Sequence, residues 1–150
     1  MKKILALVMS LAFVLAACGQ AGAGGGTVRV GWAGSPDTLN QGAAILAEAW
    51  TIFELVYDSM YELNLDGSFS LSVAESVDRS ADGLVYTYKI HKGIEFHDGK
   101  PMTAKDIVFT YNFYQAHEDF PYINSYTAYI ESTEAPDDYT VVVTLSEAIP

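Results

Sequence analysis

Apolar positions change their spacing several times along this chain, and each change marks an element. From Leu84 to His91 the alternation is strict. Leu84, Tyr86, Tyr88 and Ile90 fall on one face, and Val85, Thr87, Lys89 and His91 on the other, which predicts a half-buried strand. Ser80-Ala81-Asp82-Gly83 supplies a turn that returns this strand against the segment around Ala74–Arg79. Thr27–Trp32 also alternates and predicts a first strand, which Gly34-Ser35-Pro36-Asp37 breaks into a loop. From Ala43 to Tyr61 the pattern shifts to helical spacing, with Leu46, Ala49, Trp50, Phe53, Val56, Tyr57 and Met60 on one face. That aromatic stripe reads as core packing before it reads as the wall of a ligand pocket. Asp66-Gly67 makes a tight turn between two extended pieces.

A second helix is predicted after Lys100-Pro101-Met102. Thr103 can cap its first turn, Asp106 sits favourably at its positive end, and Ile107, Val108, Tyr111 and Tyr114 form its buried face. Two strands follow, around Tyr129–Glu134 and Tyr139–Leu145, turned by Pro136-Asp137-Asp138. The predicted order is therefore strand, helix, hairpin, helix, hairpin: an α/β unit with a mixed sheet and flanking helices.

The beginning of the chain follows a different logic. Met1-Lys2-Lys3, an apolar run from Ile4 to Val14 and a small-residue stop at Leu15-Ala16-Ala17 predict a secretory signal peptide over residues 1–17. The run is too short to cross a membrane as a helix, which takes about 20 residues. Cys18, the single cysteine, follows directly, so no intrachain disulfide is possible. Leu15-Ala16-Ala17-Cys18 resembles the bacterial lipobox, which implies lipid attachment at Cys18. Residues 18–26 are then a Gly-rich tether, and the rest of the chain is one modest domain on a lipid anchor. Removal of the signal leaves six basic against nineteen acidic residues, a formal charge of −13. Such a surface speaks against nucleic acid and against lying flat on anionic lipid. The sequence stops at Ser146-Glu147-Ala148-Ile149-Pro150 directly after a strong strand, which reads as a truncated domain.

The one arrangement that could be chemistry is His97-Asp98, within Phe96-His97-Asp98-Gly99-Lys100-Pro101. A metal site needs further ligands, and His91, His97 and His117 show none of the usual short His/Cys spacings. A nucleophilic enzyme needs an activated Ser or Cys, but there is no G-x-S-x-G. Adjacent residues on a strand or turn point apart and share a proton poorly. Every residue from 96 to 111 meanwhile has a structural task as strand end, turn, proline bend, helix cap or buried face. Neither a catalytic residue nor a metal or other cofactor is expected.

The stretch from Tyr86-Thr87-Tyr88-Lys89 through Gly93, Phe96-His97-Asp98-Gly99, Pro101 and Thr103-Ala104-Lys105-Asp106 to Phe109 resembles the signature region of the family 5 extracellular solute-binding proteins. Around it, Gly34 to Asn40, Leu55 to Met60, Ala74-Glu75-Ser76 and Asp137 to Val141 are similar to further family segments. The departures are His91 where Arg is usual, Val77 where Trp is usual, and Gln41 where Pro commonly follows.

The resemblance implies a two-lobed periplasmic-binding-protein fold (type II) that closes over a solute, with residues 27–150 as the N-terminal portion of the first lobe. It implies ABC permease subunits as partners, peptides as ligands, and an exported location facing the periplasm or the exterior. The resemblance also places the loop around Trp32, Gly34, Ser35 and Pro36 at the ligand cleft. Other readings stay open: a nickel chelate, haem or sugar as ligand, or a surface lipoprotein that senses instead of transporting.

Overall fold

The computed structural model describes residues 27–149; the expected signal segment, Cys18 and the tether lie outside them. The chain divides after Ala33. Residues 27–33 form no regular element, and Val28, Val30 and Trp32 are exposed. The strand expected at Thr27–Trp32 is therefore absent. Alternation alone does not make a strand, because its backbone groups also need a partner strand. Residues 27–32 take part in no strand pairing among the described residues.

From Gly34 onward the order is α1 (Ala47–Phe53), β1 (Tyr61–Leu63), β2 (Phe69–Leu71), β3 (Ala74–Arg79) and β4 (Val85–Ile90). There follow α2 (Ala104–Ala116), α3 (Ile123–Thr127), β5 (Ile130–Asp137) and β6 (Thr140–Leu145). The long helix expected over Ala43–Tyr61 is cut to its middle. Ala49 and Phe53 pack with Ala44, whereas Leu46, Leu55, Val56 and Tyr57 stay exposed and Tyr61 opens β1. Helical spacing stabilises a helix only where a surface receives the apolar face. Leu55, Val56 and Tyr57 meet none, Met60 packs on the sheet core instead, and the β-branched Val56 and aromatic Tyr57 are indifferent helix formers.

The centre is a four-stranded sheet in the order β3-β4-β6-β5, antiparallel at every pairing. Its alternation is the one the sequence shows. Tyr86 pairs with Val143 and Tyr88 with Val141, on the face that packs against α2. Thr87 and Lys89 face the other way, opposite Val142 and Thr140. The core on the α2 side joins Val73, Ile90, Ala104, Val141, Val143 and Leu145, with Ile107 and Val108 of α2 packed against it. Thr133 on β5 donates to the Asn112 carboxamide of α2 at 3.0 Å, and Gln115 of α2 donates to Ile130 C=O at 2.6 Å, so these polar side chains on that contact are satisfied. The turn at Ser80–Gly83 closes as expected: Gly83 N–H donates to Ser80 C=O at 2.9 Å, and Leu84 N–H to the Asp82 carboxylate at 3.1 Å.

The signature region is the connector between this sheet and α2. After β4, Met102 N–H donates to Ile94 C=O at 2.9 Å and Phe96 N–H to Lys100 C=O at 2.8 Å, which closes a short hairpin. At its tip Gly99 takes φ +81°, a value a β-carbon resists. Thr103 and Asp106 then form a capping box, with the Asp106 carboxylate accepting from Thr103 N–H at 2.7 Å and from its hydroxyl at 2.9 Å. Ala104 N–H donates to Asp138 C=O at 2.8 Å and Lys105 meets the Asp138 carboxylate at 2.9 Å. The first turn of α2 is thereby tied to the β5–β6 hairpin.

The β1–β2 hairpin is amphipathic in an unusual sense. Tyr61 pairs with Leu71 and Leu63 with Phe69, so four apolar side chains share one face, and all are exposed. Tyr61 alone finds a partner ring, meeting Tyr88 edge-on at 6.2 Å.

Candidate functional site

The loop from Gly34 to Ala44 is built by short polar contacts between its own residues. Thr38 Oγ1 accepts from Asn40 N–H at 3.1 Å, and the Asn40 side-chain oxygen accepts from Gly42 N–H at 3.0 Å. Asn40 C=O in turn accepts from Ala43 and Ala44 N–H, both at 3.1 Å. Such local side-chain to backbone bonds are the usual means by which Asn and Thr hold a turn. Asp37 reaches further. Its carboxylate accepts from Ile45 N–H at 2.7 Å and from Leu46 N–H at 3.4 Å, just ahead of α1. These bonds satisfy two backbone donors at the entry to α1, whose cap residue Leu46 makes no side-chain hydrogen bond.

The Ile45 bond holds the Asp37 carboxyl below the usual carboxylate range. A depressed value means that the tie is complete above the unfolded-state pKa and is lost as pH falls through the folded-state one. The amide proton shifts of Ile45 and Leu46 should therefore titrate together, with a midpoint below the ordinary 3.8. A midpoint at or above 3.8 contradicts the tie.

Gly34, Ser35 and Pro36 open this loop. Gly34 adopts φ +111°, Ser35 is exposed and Pro36 half-buried. A β-carbon on Gly34 would stand 2.7 Å from a Glu48 carboxylate oxygen, so the Glu48 side chain of α1 lies close over the backbone here. Trp32 precedes the division of the chain and is exposed.

Across from the Asn40–Gly42 turn lies one face of α2, and the two enclose a groove of about 240 Å³. Tyr57, Phe109, Phe113 and Tyr114 supply its aromatic walls and Asn40 and Gln41 its amides. Tyr114 donates its hydroxyl to Gln41 Oε1 at 2.7 Å, and Phe109 stacks on Phe113 at 5.9 Å. Burial, followed by the proximity of Tyr57, pushes the Tyr114 hydroxyl above its ordinary pKa. It therefore donates to Gln41 as a neutral phenol at neutral pH.

The sequence reading missed this groove because its walls come from three separated segments. The signal that could have found it is Phe109 and Phe113, which lie off the predicted buried face of α2 yet are too apolar for a solvated one.

A second, wider depression of about 530 Å³ lies at the end of the sheet, between Lys89, Lys92, Glu75, Asp137 and Tyr139. Both of its lysines have partners within it. Lys89 donates to Thr140 Oγ1 at 2.5 Å and stands 3.8 Å from Asp137, and Lys92 lies 5.2 Å over the Tyr139 ring.

His97 and Asp98 sit in the hairpin tip and are exposed. Asp98 accepts from Lys100 N–H at 3.1 Å and pairs with its ammonium at 2.7 Å, and the Lys100 contacts hold its carboxyl below the usual range. Among the described residues no group of three His, Cys, Asp or Glu side chains could hold a metal ion. Nor is any helix there long and apolar enough to cross a membrane.

Comparison with known proteins agrees with this geometry. The family model described as "Bacterial extracellular solute-binding proteins, family 5 Middle" matches residues 68–150. The oligopeptide-binding protein AppA of Bacillus subtilis is 32% identical over 155 aligned residues, covering 95% of this chain and 28% of AppA. A putative ABC transporter peptide-binding protein of Brucella ovis is 35% identical over 134 residues, covering 87% of this chain and 24% of that protein. The solved structure of B. subtilis AppA, in complex with a nonapeptide, superposes with a TM-score of 0.63 at 32% identity. That match covers 69% of this chain and 21% of AppA. The chain thus spans about a quarter of the length of the curated relatives it matches. The α/β architecture is a portion of the fold those proteins share.

Proposed function

Because the chain belongs to the family 5 bacterial extracellular solute-binding proteins, a family of transport binding proteins and not of enzymes, we propose that it serves an ABC importer as its peptide receptor. In this reading it captures peptides outside the cytoplasmic membrane and delivers them to the permease subunits. The observation that carries it is the 32% identity to an oligopeptide-binding protein along 95% of this chain.

The side chains support capture over turnover. The acidic residues that could serve chemistry are engaged in turns and caps: Asp98 on Lys100, Asp106 on Thr103 and Asp37 on Ile45. Residues 27–150 are read as the N-terminal portion of the first lobe of a two-lobed receptor, whose closure over the ligand follows from contacts on both sides. The loop of Gly34, Ser35 and Pro36, with Trp32 before it, offers backbone groups and an aromatic wall to a peptide main chain. In the signature region, Tyr86, Lys89, Gly93, Phe96, His97, Asp98, Gly99, Pro101, Thr103 and Asp106 hold the scaffold and leave ligand contact to other parts of the molecule.

Cys18 is proposed as the lipid attachment site, after removal of residues 1–17. The Gly-rich stretch to residue 26 then lets the receptor search near its transporter while tethered. No nucleic acid partner or cofactor enters this scheme.

Isothermal titration of the natively purified protein against di- to nonapeptides tests the capture. Saturable binding of peptides, with none of free amino acids, is expected; failure of every peptide to bind contradicts it. Metabolic labelling with a palmitate analogue tests the anchor. Label on the wild type and none on Cys18→Ser is expected, and a labelled Cys18→Ser protein overturns the attachment site.

A further inference from the structure

Three turns of this protein are the same chemical unit in different settings. Each carries Asp-Gly at its tip: Asp66-Gly67 between β1 and β2, Asp82-Gly83 between β3 and β4, and Asp98-Gly99 in the signature hairpin. The geometry repeats closely. The glycines adopt φ +83°, +74° and +81°, and their N–H groups donate to the carbonyl three residues back at 2.9, 2.9 and 2.8 Å. The aspartate carboxylates accept from the backbone N–H two residues on at 3.0, 3.1 and 3.1 Å. They also meet Ser68 Oγ at 2.6 Å, Ser80 Oγ at 2.5 Å and Lys100 Nζ at 2.7 Å, respectively. Those side-chain contacts lead in holding all three carboxyls below the usual range, so titration does not set the turns apart.

Asp-Gly is a dipeptide at which a backbone can rearrange, because no side chain shields the glycine nitrogen. That nitrogen attacks the aspartate Cγ: an N–Cγ bond forms, a Cγ–O bond breaks and water leaves, giving a five-membered succinimide. Water then adds at the ring carbon that was the aspartate backbone carbonyl, and its bond to nitrogen breaks. The chain now runs through Cγ as isoaspartate, with no net change in mass. In the closed turn neither partner is ready. The glycine N–H is committed to a carbonyl, and the carboxylate faces the next amide and lacks the proton that its departing oxygen needs. Reaction therefore runs through the opened turn, and its rate follows how often that turn opens.

Support against opening differs among the three. Gly83 is buried, and a β-carbon there would stand 2.6 Å from the Arg79 guanidinium, which lies 5.3 Å over Tyr86 and donates to Ile149 C=O at 3.0 Å. The strands on either side belong to the four-stranded sheet. The Asp98 turn is exposed, but Ile94 and Met102 beside it pack against the core, and the Thr103–Asp106 cap follows directly. Asp66 has neither support. Strands β1 and β2 are three residues each, pair only with one another, and are exposed along with every residue between them. The anchors of this hairpin, Met60 on the core and Tyr61 against Tyr88, lie at its base. A two-stranded hairpin held only there is marginal. We propose that Asp66 is the residue at which this protein isomerises to isoaspartate, while Asp82 and Asp98 are kept intact by their surroundings. The added backbone carbon alters the turn and with it the pairing of Leu63 with Phe69. Nothing in this depends on what the protein binds.

The test compares three sites within one molecule. The natively purified protein is aged in warm, mildly acidic buffer, one portion folded and one in urea, and digested at intervals. Electron-transfer fragmentation of the peptides then tells isoaspartate from aspartate at equal mass. In the folded protein isoaspartate should accumulate at Asp66 about tenfold faster than at Asp82 or Asp98, as the more frequent opening of its turn requires. In urea, where no turn persists, the three sites should react at comparable rates. Folded-state rates at Asp82 or Asp98 that equal or exceed the rate at Asp66 overturn the proposal. So does a folded protein that stays intact at all three sites while the urea sample reacts, and so does an excess at Asp66 that persists unchanged in urea.

Discussion

Replacing Ile90 by alanine should lower the stability of the protein by about 2–5 kcal/mol, the largest effect expected of any single truncation here. Ile90 ends β4 at 1% exposure, in the core that joins Ala104 of α2 to Val141, Val143 and Leu145. Its N–H donates to Tyr139 C=O at 3.0 Å, so the backbone around it is fixed and cannot close over a cavity. A small domain has only ~5–15 kcal/mol in all, so this one change consumes a sizeable share. Thermal and urea unfolding of Ile90→Ala beside Leu55→Ala measures it. Leu55 is 81% exposed, and its truncation should stay within about 0.5 kcal/mol. A loss under about 1 kcal/mol at Ile90 would show that this cluster is not the core.

Gly42→Ala is the second large effect, and its cause is crowding. A β-carbon at Gly42 would stand 2.3 Å from the ring of Phe120. That ring is buried, and it stacks on His117 at 4.8 Å with Phe113 and Tyr114 at 6.0 and 6.2 Å. It has nowhere to retreat. The turn must move instead, and Gly42 N–H is held by Asn40 at 3.0 Å. Overpacking of this kind costs about 1–3 kcal/mol. Phe120→Leu should make room, so Gly42→Ala should cost less in that background than in the wild type. Equal costs in both backgrounds would mean that the two residues do not meet.

The same contact shows why parts of the molecule were legible in the sequence and parts were not. Strand β4 and the capping box at Thr103 and Asp106 are local: alternation and a three-residue spacing carry all the information. The Asp66-Gly67 and Ser80–Gly83 turns are local too. Thr27–Trp32 carries the same alternation as β4 but lacks a pairing partner among the described residues, so its pattern misleads. The stripe from Leu46 to Met60 has helical spacing throughout, yet only Ala49, Trp50 and Phe53 pack together as a helix face, and Met60 packs instead against the core of the sheet. Tyr57, assigned to the core by that stripe, lines the groove instead. The groove itself depends on residues 40–42, 57 and 109–114 coming together, and no local pattern records such a meeting. Short helix α3 went unpredicted because its five residues are too few for helical periodicity to show, which takes a window of about 11–18 residues.

His97-Asp98 shows what local chemistry can and cannot decide. The tip of the hairpin spends Asp98 on Lys100, and the turn, the proline and the cap that follow deliver the chain into α2. A histidine beside an aspartate is chemistry only when something else converges on it.

The central claim is that this chain belongs to a receptor that captures peptides for import. Native mass spectrometry of the protein released from its own membranes, with no step that strips ligand, tests it most directly. The account predicts a protein ion carrying a spread of small peptide masses. A single sharp adduct of a metal chelate, haem or sugar, or a protein that carries nothing, would contradict it.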